Sequence, residues 1–376
     1  SMSRLGFFCA KELTPIKLIN SMKKRILILG PSLSAKGGVS LYYSVVFPLL
    51  QSQELFDIEY FSIGSSTGRG VFGDFLSLFK KIYDFDPHLL HVNTSLGWKS
   101  FLRDGFFLLV ARLFNCKRLV FFRGWSLSDS VTSGFVFQCI FKLCYKSSHG
   151  FCVLANDVSN KLKEWQVSGT VFKQTTVVDE NLLELELATS PEKKVKRIHT
   201  LNLLFLSRVE KEKGIFELVD SLKILNEQMY DVHLTIAGAG SQIQNLKNEV
   251  IKSGIEEIVT FVGFVEGDKK RELLKNSDVF CLPSYTEGMP NSVLEAMCFG
   301  MPIIATPTGA LKDIVTEETG ILVPIRSIYP LADAIKKFTN KSLLLKISEY
   351  NKIKAADLYL SSSVSQRLIN VYKDLL

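Results

Sequence analysis

Short, continuously apolar runs recur along this chain, each followed by a loop and a segment with apolar residues at helical spacing. RILILG (25–30), IEYFSIG (58–64), HLLHVNT (88–94), RLVFFRG (118–124), FCVLAN (151–156) and TTVV (175–178) read as strands. The segments at 40–50, 72–82, 98–114, 130–147 and 157–165 read as helices between them. Runs of this length and β-branched content predict parallel strands buried on both faces, with helices as the crossovers. The polar, proline-containing segment 188–200 interrupts the pattern, which then restarts. New strands are expected at 201–207, 232–238, 259–264, 279–284, 302–307 and 321–324, with helices at 214–228, 242–253 and 268–277 and further helices to the end. The expected class is α/β: two Rossmann-like domains with parallel sheets facing across a cleft, ligand at the carboxyl ends of the strands. The expected divisions are a loose leader or tag over 1–22 (Met22 reads as a natural start), a first domain over 23–190, a second over 191–355, and a C-terminal helix over 356–376 that crosses back to the first.

Composition narrows the partners. The 376 residues are 47% apolar and 22% charged, which suits a globular chain with an ample core. The longest apolar runs, such as FFLLVA (106–111), are far too short to span a bilayer, and no secretory signal is recognisable. The seven cysteines lie singly in apolar runs with no paired spacing, so they read as reduced core thiols of a cytoplasmic protein and not as a disulfide or zinc framework. The net charge of +7 is unevenly placed: 25 Lys and Arg against 16 Asp and Glu through Arg197, then 20 against 22. A basic half suits phosphorylated ligands or an anionic membrane face, and the absence of any helix-turn-helix, zinc or RNA-binding motif argues against nucleic acid. Trp98, Phe101, Leu102, Phe106, Leu109 and Val110 fall at helical spacing among basic residues. That stripe reads either as a core face or as a surface docking peripherally on the inner leaflet.

The stretch 278–315 concentrates the chemistry. It reads as strand, loop, helix, strand and loop, with Asn291 or Ser292 expected to cap the helix. Glu287 and Glu295 stand in an otherwise apolar, neutral block, where carboxylates need partners. A glycosidase dyad does not fit: on one helix they would lie about 12 Å apart along the axis, beyond the roughly 5–9.5 Å such dyads use. A better fit places Glu287 on the loop facing a sugar and Glu295 along the helix facing a ribose, with the helix start at phosphate between them. Arg208 and Lys213, in SRVEKEKG at the end of a strand, suit a diphosphate, although a mixed-charge block also reads as a solvated loop. AGAG (237–240) lacks the third glycine of a nicotinamide-dinucleotide turn and reads as a tight strand-to-helix connection.

Together these segments resemble the retaining glycosyltransferases of family 4, which have the two-domain GT-B fold. Glu287 and Glu295, in EGMPNSVLEAM, match the family's E-x7-E signature; Arg208 and Lys213 match its basic pair; the AGAG turn, the FVGF strand and GMPIIAT-x-x-G-A also match. The resemblance covers 201–340 strongly and the first domain more weakly, where GGVS (37–40) is similar to the glycine-rich loop near donor phosphates and acceptor. It implies a nucleotide diphospho-sugar donor, a UDP-sugar by family frequency, and a saccharide or lipid-linked acceptor in bacterial polysaccharide or glycolipid synthesis. It implies catalytic roles for Arg208, Lys213 and Glu287, and donor contacts from Gly37, Gly38, Gly238, Phe264, Gly288, Met289, Pro290, Asn291 and Glu295. No cofactor or metal is implied, since cationic side chains would neutralise the departing diphosphate. The sequence departs from the family at Arg123, in FFRGW, where a histidine is usual, and at VVDENLL, where Pro-Asn-Gly is usual. Arg123 and Trp125 are accordingly the acceptor-side candidates. A sugar-nucleotide epimerase of the same fold, or a non-catalytic sugar-nucleotide-binding subunit, would share the cleft.

Overall fold

The computed structural model describes residues 23–35, 37–64, 68, 70–95, 97–124, 132, 134–183 and 200–376. In the first domain β1 (Lys24–Gly30), β2 (Phe56–Ser62), β3 (Leu89–Ser95), β4 (Lys117–Gly124), β5 (Gly150–Val153) and β6 (Thr170–Lys173) form one six-stranded parallel sheet in the order β2-β1-β3-β4-β5-β6. The crossovers are α1 (Gly38–Gln51), α2 (Gly70–Phe85), α3 (Trp98–Leu113), α4 (Phe135–Ile140) and α5 (Asn156–Glu164), α4 loosening into a π turn over Phe141–Tyr145. Ile26, Leu27, Ile28 and Leu29 of β1 are wholly buried, alternate side chains going to opposite helical layers. Each such side chain contributes about 1.5–3 kcal/mol of hydrophobic burial.

The second domain repeats the plan with a different strand order. β7 (Leu201–Leu206), β8 (Val232–Ala237), β9 (Val259–Gly263), β10 (Val279–Leu282), β11 (Ile303–Ala305) and β12 (Gly320–Leu322) lie in the order β12-β11-β10-β7-β8-β9, all parallel. Its helices are α6 (Ile215–Glu227), α7 (Ile243–Lys252), α8 (Gly267–Asn276), α9 (Asn291–Cys298), α10 (Leu311–Ile314), α11 (Ile328–Lys337), α12 (Lys341–Tyr359) and α13 (Ser361–Leu375). In such sheets the crevice for a ligand opens where the strand order reverses. That point is β1/β3 in the first domain and β7/β10 in the second.

The chain closes on itself through its last helix. Val178 bridges Leu360 at the break between α12 and α13, and the Glu180 carboxylate accepts from the Ser362 N–H at 2.8 Å. On α13, Tyr372 OH lies 2.8 Å from His91 Nδ1 of β3, and Lys117 donates to the Leu375 carbonyl at 2.6 Å. Across the cleft, Asn156 donates through its backbone and its side chain to the Asp313 carboxylate, at 2.7 and 2.9 Å.

Two expectations need correction. TTVV (175–178) is not the closing strand; Thr170–Lys173 pairs with β5 instead. That edge strand is largely half-exposed and lacks the apolar continuity that marks the others, whereas Val177 and Val178 are buried. Cys139 is exposed on α4 and is not a core thiol; Cys116, Cys144, Cys152, Cys281 and Cys298 are buried and free. The segment over 1–22, with Cys9, and most of 188–200 lie outside the described residues. No helix of the described residues is long and apolar enough to cross a membrane.

Candidate active site

The site grows from the carboxyl ends of β7 and β10. The loop after β7 is held by the AGAG turn, whose glycines bring two backbones into contact. A Cβ on Gly238 would lie 1.8 Å from the Ser207 carbonyl oxygen, and one on Gly240 2.2 Å from that of Val209. Val209 N–H donates to the Ala239 carbonyl at 3.0 Å across the same contact. The turn thus fixes the loop that carries Arg208 and Lys213, and Gly238 itself serves as this backbone support.

Lys213 Nζ lies 2.7 Å from Glu287 Oε1, and Ser284 Oγ donates to the same oxygen at 2.7 Å. The two charged side chains are only 12% and 10% exposed. The backbone of Glu287 is fixed from beneath by the loop after β11. Ala310 N–H donates to the Gly288 carbonyl at 2.7 Å, Thr306 donates to the Ser284 carbonyl, and Gly309 has φ 51°. A Cβ on Gly309 would lie 2.1 Å from the Glu287 carbonyl oxygen, so only glycine fits there. Tyr285 anchors the other side: its N–H donates to Glu212 O at 2.8 Å, its hydroxyl to Glu217, and Arg326 covers its ring at 4.6 Å. Burial and the Glu217 carboxylate push the Tyr285 phenol up to about 12, so it remains a donor.

Glu295 is buried on α9, and its carboxylate is met by Lys270 of α8 at 2.8 Å. Neither Asn291 nor Ser292 caps α9. Pro290 takes the N-cap position with φ −72° and ψ 125°, and no side chain accepts from the first turn. Proline's fixed φ already supplies the extended entry a cap residue needs. Val293 N–H donates to the Pro290 carbonyl at 3.2 Å, which leaves the N–H groups of Asn291 and Ser292 and the positive end of the helix dipole for an anion.

The facing wall comes from the first domain. The Arg123 guanidinium packs against the rings of Tyr42 (3.7 Å) and Phe121 (3.6 Å), which stand nearly perpendicular to each other, and its Nε donates to Asn93 Oδ1 at 2.9 Å. Between the walls opens a cavity of about 400 Å³, with Arg123, Gly124 and Leu154 on one side and Glu287, Gly288 and Gly309 on the other. A second cavity, of about 230 Å³, lies between α1 and α8, with Lys270 and Glu295 in its lining.

A loop carboxylate and a helix carboxylate are thus each paired with a lysine and flank an uncapped helix start. Residues 189–355 match the family "Glycosyl transferases group 1". Sequence relatives are likewise glycosyltransferases. The chain is 25% identical over 263 residues to the 2-deoxystreptamine N-acetyl-D-glucosaminyltransferase of Niallia circulans, covering 69% of this chain and 67% of that one. It is 30% identical over 174 residues to the phosphatidyl-myo-inositol mannosyltransferase of Mycobacterium leprae, covering 46% of each. It is 31% identical over 140 residues to the putative teichuronic acid biosynthesis glycosyltransferase TuaC of Bacillus subtilis, covering 37% and 33%. The chain thus spans less than half the length of the last two relatives. Among solved structures, sucrose-phosphate synthase from Thermosynechococcus elongatus superposes with a TM-score of 0.71 at 18% identity, over 94% of this chain and 99% of that one. The Anabaena protein HepE, in complex with UDP, gives 0.71 at 16%, over 94% and 100%. These likenesses establish the fold as GT-B.

Around this cleft the remaining site residues fall unevenly. Glu287 and Gly288 line the larger cavity, Lys213 holds Glu287, and Glu295 lines the second cavity. Arg208 is exposed and forms no ion pair among the described residues. Phe264 is 72% exposed beyond β9. Met289 is buried, and its Sδ accepts from the Thr176 N–H at 3.1 Å, which ties the second domain to the first. Gly37 and Gly38 open α1 and line a third cavity that Arg123 also reaches. Trp125 lies outside the described residues. Sequence reasoning missed Lys270. The findable signal was its place four residues before Leu274, which is fully buried: a lysine on the inward face of an amphipathic helix calls for a carboxylate.

Proposed function

We propose that the chain is a retaining glycosyltransferase. It moves a sugar from a nucleotide diphospho-sugar, a UDP-sugar, onto a saccharide or lipid-linked acceptor in polysaccharide or glycolipid synthesis. The observation that carries this reading is the pair of lysine-held carboxylates, Glu287 on a loop and Glu295 on α9, flanking an uncapped helix start. The glycosyltransferases among the relatives support it, and so does the UDP complex of a protein sharing the fold.

Under this reading Glu295 accepts the ribose hydroxyls and Glu287 orients the donor sugar through its hydroxyls. The amides at the start of α9, with Lys213 and Arg208, stabilise the diphosphate as charge develops on it. Such preorganised stabilisation is the largest catalytic term in most enzymes. The bond from the sugar C1 to the phosphate oxygen breaks, and the acceptor oxygen bonds to C1 on the same face. The acceptor's hydroxyl proton passes to the departing phosphate oxygen. The cationic side chains do the work a metal would otherwise do. The epimerase and binding-subunit readings gain no specific support from the geometry.

The acceptor side is read as peripheral to an anionic membrane. On α2, Phe72, Leu76, Phe79 and Tyr83 are exposed at i, i+4, i+7 and i+11, a single helical face. Trp98, Leu102 and Phe106 of α3 are also exposed, with Lys80, Lys99 and Arg112 among them, whereas Phe101 and Val110 are core. An apolar face rimmed by cations suits lipid with anionic headgroups. A thermal-shift screen against UDP-, GDP- and ADP-sugars, followed by nucleotide release from any that bind, tests the enzymatic reading. Stabilisation and turnover with one nucleotide class are expected; no shift with any of them refutes the reading.

A further inference from the structure

One junction between the domains also supports the site. α5 starts without a cap of its own: Ala155 stands at the N-cap, and its methyl group accepts nothing. The second domain supplies the acceptor. One oxygen of the Asp313 carboxylate takes the Asn156 N–H at 2.7 Å, and the other takes the Asn156 side-chain amide at 2.9 Å. A carboxylate suits this place, because it meets an orphan first-turn donor and the positive end of the helix. The Lys173 ammonium lies 3.7 Å from the same carboxylate, and the preceding residue, Lys312, pairs with Asp157 of α5. The Asp313 side chain is only 12% exposed, whereas Lys312 and Asp157 are 38% and 52% exposed, so their pair is weak and open to salt. Asp313 therefore carries the junction.

On its own side Asp313 belongs to α10, a single turn pinned by the buried Leu311 and Ile314. That turn continues directly from the loop that holds Glu287 from beneath. Asp313 N–H donates to the Ala310 carbonyl at 3.0 Å, and Ala310 N–H donates to the Gly288 carbonyl at 2.7 Å. Gly309 is packed too closely on the Glu287 carbonyl for the loop to shift alone. A displacement of Asp313 is thus passed through two hydrogen bonds to the backbone of Glu287. Asp157 on one side of the junction and Gly309 on the other both line the 400 Å³ cavity.

We infer that Asp313 is a positioning residue. It seats the first domain on the turn that carries the Glu287 loop, and so sets where the Glu287 carboxylate stands in the cleft. The inference rests on the glycosyltransferase reading for what Glu287 does, while the link from α5 to the Glu287 loop stands on the contacts alone.

The test compares Asp313→Ala and Asp313→Asn with wild type by amide hydrogen exchange, UDP titration and nucleotide release. In Asp313→Ala the Asn156 amide should exchange about 2–30-fold faster, the span of a lost helix cap. The Ala310 amide should follow by at least about threefold, although it bonds to Gly288 and not to the deleted carboxylate. The kcat for the UDP-sugar that the wild type turns over should fall by about 10–100-fold, as for a reacting group misplaced by about 1 Å. UDP should bind within about threefold of wild type, since Arg208, Lys213 and Glu295 are untouched. Asp313→Asn keeps an acceptor oxygen for the Asn156 N–H and should recover most of both losses. The inference is overturned if Ala310 exchange and kcat stay within about twofold of wild type. It is overturned equally if the Asn156 amide alone exchanges faster, which would make Asp313 a cap and nothing more, or if UDP affinity falls in step with kcat. Titration of the wild type with UDP reports separately on the proposed function. A wild type that binds no UDP refutes the nucleotide-sugar reading, and the Ala310 exchange then decides the inference alone.

Discussion

Removing the Lys213 ammonium perturbs both stability and turnover, and the structure sizes each effect. Exposed ion pairs contribute no more than about 1 kcal/mol, and breaking a fully buried one by deleting a partner costs about 3–5 kcal/mol. The Lys213–Glu287 pair is close to the buried limit, with side chains 12% and 10% exposed. In Lys213→Ala the Ser284 hydroxyl still donates to Glu287, which offsets roughly 1 kcal/mol. The expected loss is therefore roughly 2–3 kcal/mol, or about 1 M in the urea midpoint of a transition with a slope near 2–3 kcal/mol/M. Nucleotide release should fall further, by at least about 100–1,000-fold, because the stabiliser of the departing diphosphate is gone. Glu287→Gln should be defective too. The double variant should be less unstable than the sum of the singles by roughly 1–3 kcal/mol, as expected for groups in contact. Turnover within about threefold of wild type in Lys213→Ala, or strict additivity in the cycle, would refute the reasoning.

Lys270→Met should destabilise the fold by roughly 2–3 kcal/mol by leaving the buried Glu295 carboxylate alone, and adding Glu295→Gln should restore most of the loss in urea unfolding. Asp104 gives a pH signature: burial raises its carboxyl to about 6, only partly opposed by Arg103. A raised carboxyl stabilises the fold below its unfolded value and loses that stabilisation as pH rises through the folded value. The stability of wild type relative to Asp104→Asn should thus fall by roughly 3 kcal/mol between about pH 4 and pH 7; a flat or rising difference contradicts this. Phe72→Ser with Phe79→Ser and Tyr83→Ser should abolish sedimentation with anionic liposomes while the melting temperature stays within a few degrees, because these rings are exposed. Unchanged sedimentation removes the docking role of α2.

The architecture was legible because buried parallel strands announce themselves as unbroken apolar runs, and LNLLFLS and RILILG could hardly be anything else. Glu287 and Glu295 were legible for the complementary reason, as charges in an apolar block. Lys270 was obscured by DKKRELLKN, a run whose charge density is that of an ordinary solvated helix. Its partner is twenty-five positions away and is brought to it only by the packing of α8 near α9. The α2 stripe was legible as amphipathic but not as exposed, because periodicity is the same whether a sheet covers the face or nothing does. The capping role was misassigned because Asn291 and Ser292 are good cap residues by type, whereas the loop geometry gave the position to Pro290. Arg123 could be seen to replace a histidine, but its contacts with Tyr42 and Phe121 join residues from α1 and β4 that no local pattern connects.

The most direct test of the account is a crystal structure of this chain with UDP. The account predicts the diphosphate at the start of α9 within reach of Lys213 and Arg208, with the ribose hydroxyls on Glu295 and Lys270 turned partly aside. A nucleotide bound elsewhere, or one in this cleft with its ribose away from Glu295, would contradict it.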